Sequence, residues 1–152
     1  MQNGKDDFME NQDTVSLLRE CNAGSKMAVS SLDEVLDKIQ DSKMKSLLLE
    51  SKEHHEKLGN EIHTLLLRHG SDEKDPNPIA KSMAWMKTNM KLSMDRCDAT
   101  VADLLTDGCD MGIKSLHRYK NQYGQADHKS KDICDRLIVI EEELREGLHS
   151  YL

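Results

Sequence analysis

Residues 50–63 read ESKEHHEKLGNEIH and bring four carboxylates and three histidines into fourteen residues. Carboxylates and imidazoles at helical spacing are the donor set of a metal centre between helices. Carboxylates bridge and neutralise hard cations, and imidazoles complete each shell. A di-metal centre of that kind needs one inward Glu from each of two helices and a Glu-x-x-His from each of the other two. Glu50 and His54 are four apart and could hold a surface cation, and Glu146-x-x-His149 has the required spacing. His55 stands three before Leu58 and seven before Ile62, which puts it on an apolar stripe.

The full set is not assembled. His54, His55, His63 and His69 have Ser51, Lys52, Asn60 and Leu66 three residues before them, so no Glu-x-x-His occurs on that helix. The helix from Asp98 contains Asp103, Asp107 and Asp110 and no Glu. Glu20 and Glu34 lie off an inner stripe that reads Cys21, Ser25 and Leu32 at their levels. Glu146 and His149 point away from the stripe Ile140, Leu144 and Leu148. His55 therefore reads as a core histidine bonded across the bundle to Ser25 or Cys21, with a metal or switch role as the alternative. Glu53, Glu56 and Glu61 with Lys52 and Lys57 read as a solvated face. No nucleophile stands with a base and an orienting acid.

The elements that must position these residues are helical. Leu occurs 19 times and Met 9 times, against 12 Val plus Ile, one Phe and one Trp. That balance favours helices over sheets. Leu18, Ser25, Val29, Leu32, Leu36 and Ile39 make a first stripe behind Asp13 as N-cap. Asp41 or Ser42 caps a second helix through Met44, Leu48, Leu58, Ile62 and Leu66, and Gly70 suits its left-handed C-terminal position. A helix from Asp98 to about Tyr123 carries Val101, Leu105, Gly108, Gly112, Ile113 and Leu116 inward, and Gly124 ends it. Asp127 caps the last, with Ile133, Leu137, Ile140, Leu144 and Leu148. The Gly108-x-x-x-Gly112 pair suggests a close helix approach, or a gap that admits a ligand.

Between the second and third long helices lies SDEKDPNP, then a helix over 79–94 with Pro78 at its first position and Asn77 as cap. Ile79, Met83, Met86, Met90 and Met94 share one face, and Trp85 and Leu92 lie nearly opposite. Two apolar faces cannot both bury against one bundle. Either the Met face docks and Trp85 lies half-exposed or under a loop, or Trp85 and Leu92 form the candidate interface with a second copy or a partner; contact with a membrane surface through the basic face is a third use. Two antiparallel pairs joined by one long crossover make the ferritin-like topology.

Several stretches also resemble a family of ferritin-like proteins of Firmicutes, a domain of unknown function. Asn77-Pro78 with Lys81 matches the start of its crossover helix. Asp95, Ala102, Leu105, Gly108, Met111, Gly112 and Ile113 fall in register with it, and EEELREGLHSYL resembles its C-terminus. Cys97-Asp98 departs from the Ser-Pro its members tend to carry. The resemblance implies a bacterial helical bundle without an assigned reaction, so it brings no catalytic residues.

The chain has 152 residues and a formal net charge of −7. An acidic chain repels phosphate backbones, which argues against nucleic acid as a general partner. No apolar run approaches the ~20 residues a membrane span needs. Cys21, Cys97, Cys109 and Cys134 form no CxxC pair, as suits a cytoplasmic protein with reduced thiols. The sequence thus predicts an all-α, ferritin-like antiparallel four-helix bundle with an extra helix in the crossover between helices two and three. Residues 1–12 are expected as a flexible tail and 13–152 as one domain. The expected function is non-enzymatic, through contacts with a protein partner or a second copy. No cofactor is predicted. A metal-binding or redox role with iron or another divalent metal is the alternative, at His55 or the off-core pairs Glu50/His54 and Glu146/His149.

Overall fold

The computed structural model describes residues 2–71 and 97–152. Among them the chain forms α1 (Gln2–Leu36), α2 (Ser42–Arg68), α3 (Asp98–Gln122), α4 (His128–Leu148) and a final 3-10 turn, His149–Tyr151, with no strand. The expected 79–94 helix, its Asn77-Pro78 start, Asp95, and the candidate interface at Trp85 and Leu92 lie outside the described residues.

Local chemistry sets most helix ends. The Asp41 carboxylate accepts from the Met44 amide at 2.8 Å and Asp127 from the Ser130 amide at 2.8 Å, which satisfies one otherwise unpaired donor at each N-terminus. Gly70 adopts φ +69°. There the Ser71 amide donates to the Leu66 carbonyl and the Gly70 amide to the Leu67 carbonyl, both at 3.0 Å. That pair of bonds is a Schellman ending, and only glycine takes the left-handed position without strain.

The start of α1 differs from expectation. Asp13 does not cap it, because α1 begins at Gln2. The segment expected as a tail is helical, and every side chain from Gly4 to Gln12 is exposed. Its lack of apolar periodicity reflects the absence of a packing surface rather than of helix. The Asp13 carboxylate instead accepts the Gln125 amide at 2.9 Å, and Thr14 Oγ1 accepts the Asp127 amide at 2.8 Å.

These bonds tie α1 to the turn between α3 and α4. At the far end, Asp98 receives the amides of Gln40 (3.0 Å) and Asp41 (2.8 Å), which ties the start of α3 to the turn between α1 and α2. Arg19 donates to Ser71 Oγ at 3.0 Å. Helices α1 and α4 therefore run one way and α2 and α3 the other, with Ser71 and Cys97 at opposite ends.

Among the described residues the core divides in two. One cluster joins Leu17, Leu18, Ile62, Leu66, Ile133 and Leu137 near the α3–α4 turn. The other joins Leu32, Val35, Met44, Leu48, Val101, Leu105, Leu144 and Leu148 near the α1–α2 turn. Between them lies a layer of buried polar side chains.

Candidate functional site

The layer is built from residues at mid-height of three helices: Asn22 and Ser25 of α1, Ser51 and His55 of α2, and Glu141 of α4, all buried. His55 is fully enclosed, at 0% exposure. Its Nδ1 lies 2.7 Å from the Ser51 carbonyl oxygen and its Nε2 lies 2.8 Å from Glu141 Oε1. A carbonyl only accepts, so Nδ1 carries a proton and donates it. The contact between Nε2 and Oε1 then requires one further proton between them. The pair is electrically neutral as a unit, whether written as imidazolium–carboxylate or imidazole–carboxylic acid, and a buried charge is tolerated when so paired.

Cys109 of α3 completes the surroundings. Burial, and next the nearby Glu141 charge, raise its thiol far above the ordinary cysteine range. It is therefore a protonated, unreactive thiol. A buried thiol pair, Cys21 and Cys134, joins α1 and α4, and the Cys134 thiol donates to the Leu116 carbonyl at 3.6 Å. The hydrogen bond between them, together with burial, raises Cys21 well above its usual value. No described cysteine is in a disulfide.

His55 is in the core as predicted, and its partners are Glu141 and Ser51. Ser25 and Cys21 were the expected partners, but Ser25 Oγ donates to the Asn22 carbonyl at 3.0 Å and Cys21 pairs with Cys134. Glu50 is exposed and His54 half-buried, and Glu146 and His149 are both exposed. Among the described residues no three His, Cys, Asp or Glu side chains converge as a metal would require. Lys57 with Glu53 (2.9 Å) is a surface pair on one helix, as expected. Lys52 reaches Asp33 of α1 at 2.6 Å, and Glu61 receives both guanidinium nitrogens of Arg136 of α4, at 3.0 and 2.8 Å. That face therefore links helices as well as meeting solvent.

Gly108 is exposed, and a Cβ there would meet nothing within 4 Å. The close approach read from the Gly108–Gly112 pair is not made at Gly108. At Gly112 a Cβ would lie 3.7 Å from Glu141 Oε2, an ordinary contact beside the polar layer. The tight approaches are at glycines the sequence reading passed over. A Cβ on Gly59 would lie 3.3 Å from Ser25 Oγ, and one on Gly147 would lie 2.8 Å from Leu47 Cδ1.

Glu141 is the residue that sequence reasoning missed. It stands three after Ile138, four after Leu137 and three before Leu144, all buried. That spacing marks it as inward. A carboxylate on an apolar stripe facing a histidine on another was the available signal.

A cleft of about 440 Å³ between α1 and α2 reaches this layer, with Asn22, Ser25 and His55 among its lining. No family model matches the chain, and no curated protein or solved structure shows significant similarity to it. Both His55 nitrogens are engaged, so neither has a lone pair for a metal or a substrate proton. The arrangement can hold a proton and fix α2 in register against α4. As it stands it offers no nucleophile.

Proposed function

We propose that this chain is a ferritin-like bundle that acts through protein contacts, self-association foremost, without chemistry of its own. The ferritin-like reading is supported by the helix directions, with a parallel α2 and α3 whose adjoining ends lie at opposite poles. The contact reading is carried by the start of α1. Asn11 Oδ1 lies 3.0 Å from His69 Nδ1, just past the end of α2. Residues 2–10 therefore extend beyond α2 by roughly 13 Å at 1.5 Å per residue. The stretch continues a formed helix and needs no nucleus of its own, but among the described residues it has no packing surface. It presents Phe8, 67% exposed, and Met9, 43% exposed. A second chain laid against it would bury both and repay the ordering.

The test is the molar mass in solution by light scattering. A mass near twice 17.3 kDa is expected for the full chain, falling to the monomer in Phe8→Ser/Met9→Ser. A clean monomer at high concentration overturns the self-association reading. If Trp85→Ala dissociates the dimer and the α1 variant does not, the contact surface is the one expected at Trp85 and Leu92. Elemental analysis of untagged protein tests the metal alternative. Near-stoichiometric iron, manganese or zinc that is lost in His55→Ala would replace the contact reading with it.

A further inference from the structure

The cleft between α1 and α2 opens to solvent and ends at the polar layer. Its floor includes three buried polar side chains, Asn22, Ser25 and His55. Two of them are satisfied within the chain. Ser25 Oγ donates to the Asn22 carbonyl, and His55 is held by Ser51 and Glu141. The third is not. Asn22 Oδ1 is buried and has no hydrogen-bond partner among the described residues, in a residue only 9% exposed.

A buried acceptor without a donor is costly, and native chains place few of them. Elsewhere in this layer the polar atoms are matched, so the orphan stands out at the point where the cleft meets the core. Asn22 itself lines the cleft, and the terminal torsion of an asparagine is broad, so the orientation of its oxygen is adjustable there. The walls leave room for an apolar body: Val29 of α1 faces the bare backbone of Gly59 of α2 between the polar side chains of Ser30 and Asn60. The lining carries Lys26, Glu56 and His63, so groups of both signs are present and neither an anion nor a cation is singled out.

We propose that this cleft binds a small uncharged molecule with a compact apolar body and one O–H or N–H donor, received by the Asn22 side-chain oxygen. The volume lies within the range of small-molecule sites. Gly59 keeps the cleft open beside Ser25, since a Cβ there would lie 3.3 Å from Ser25 Oγ and the hydroxyl would have to give by a few tenths of an ångström. The site is independent of the self-association surface, and its occupancy is read separately from molar mass.

The probes are phenol and toluene, nearly equal in size, of which only phenol donates. Amide resonances of Ser30, Gly59 and Asn60 in the full chain report titrations followed by heteronuclear NMR. Phenol is expected to shift them saturably and to bind about fivefold more tightly than toluene, the worth of one modest hydrogen bond. In Asn22→Leu, which keeps the volume and removes the acceptor, the preference for phenol is expected to vanish. Ser30→Phe fills the mouth from a half-buried position and is expected to abolish phenol binding even if Asn22→Leu does not fold. Phenol shifts that do not saturate, equal affinity for the two probes, or undiminished binding to either folded variant would overturn the proposal. Each of these results would leave Asn22 Oδ1 to a water molecule alone.

Discussion

The two apolar ends of the bundle and the polar layer between them are held by different forces. At the ends, Leu, Ile, Val and Met interdigitate, and the stabilisation follows the area removed from water. Such packing is non-directional, so a similar residue of similar volume can replace another at small cost. In the middle, His55 and Glu141 gain little over apolar residues of the same shape, because both had to leave water. What they add is direction. An imidazole held by Ser51 at one nitrogen and Glu141 at the other allows one axial register of α2 against α4. The ends make the bundle stable, and the middle makes one alignment of it preferable.

The largest expected effect tests that contrast directly. His55→Leu and Glu141→Leu each strand a buried polar partner and are expected to cost about 3 kcal/mol or more in denaturant unfolding. The double variant is expected to return to near wild-type stability or above it. At the apolar ends, Leu48→Ala and Leu137→Ala are each expected to cost roughly 2–5 kcal/mol. Being far apart, they should add when combined. Additive losses for the His55–Glu141 pair would break the comparison.

Next come the clamps at the two turns. Asp98→Ala removes the acceptor for two backbone amides and should cost about 1–2 kcal/mol. Thr14→Val removes one such bond and should cost less, about 1 kcal/mol. Hydrogen exchange at Gln40 and Asp41, and separately at Asp127, reads each clamp on its own. Gly108→Ala should change stability in the opposite direction. The position is helical and open, so about 1 kcal/mol of stabilisation is expected from helix propensity alone, with melting temperature as the measure.

The smallest effect concerns the outer face. Hydrogen bonding to the Arg136 guanidinium holds the Glu61 carboxyl below its usual pKa. A depressed acid contributes stability above its unfolded pKa and loses it as pH falls through the folded value. Glu61→Gln should therefore cost roughly 0.5 kcal/mol at neutral pH, as exposed pairs do, and nothing in strong acid. A gap that persists at low pH would show that the residue acts through packing instead.

Much of this was legible in the sequence because it is local. Asp41, Asp127 and Gly70 act on groups within five residues, and each was readable as a cap. The stripes of α2, α3 and α4 placed most of the core, including His55. Asp13 misled because an aspartate before an apolar stripe reads as a cap, whereas its acceptor oxygen serves Gln125, far along the chain. Glu141 was hidden in the run Glu141-Glu142-Glu143, which reads as solvated. At about 100° per residue a helix turns one member of such a run inward while the others face water. Gly108 and Gly112 drew notice by their spacing, yet the packing consequence fell to Gly59 and Gly147.

The sequence by itself determined the helical class, the caps and the apolar faces, since these depend on the residue's own backbone preferences and on neighbours three or four positions away. Only the tertiary structure decided which polar groups meet inside: His55 with Glu141 and Cys21 with Cys134, while Asn22 Oδ1 meets none among the described residues. Those pairings depend on the rotation and height of whole helices against one another. Periodicity fixes the rotation of each helix, whereas relative height emerges only when all four are packed together.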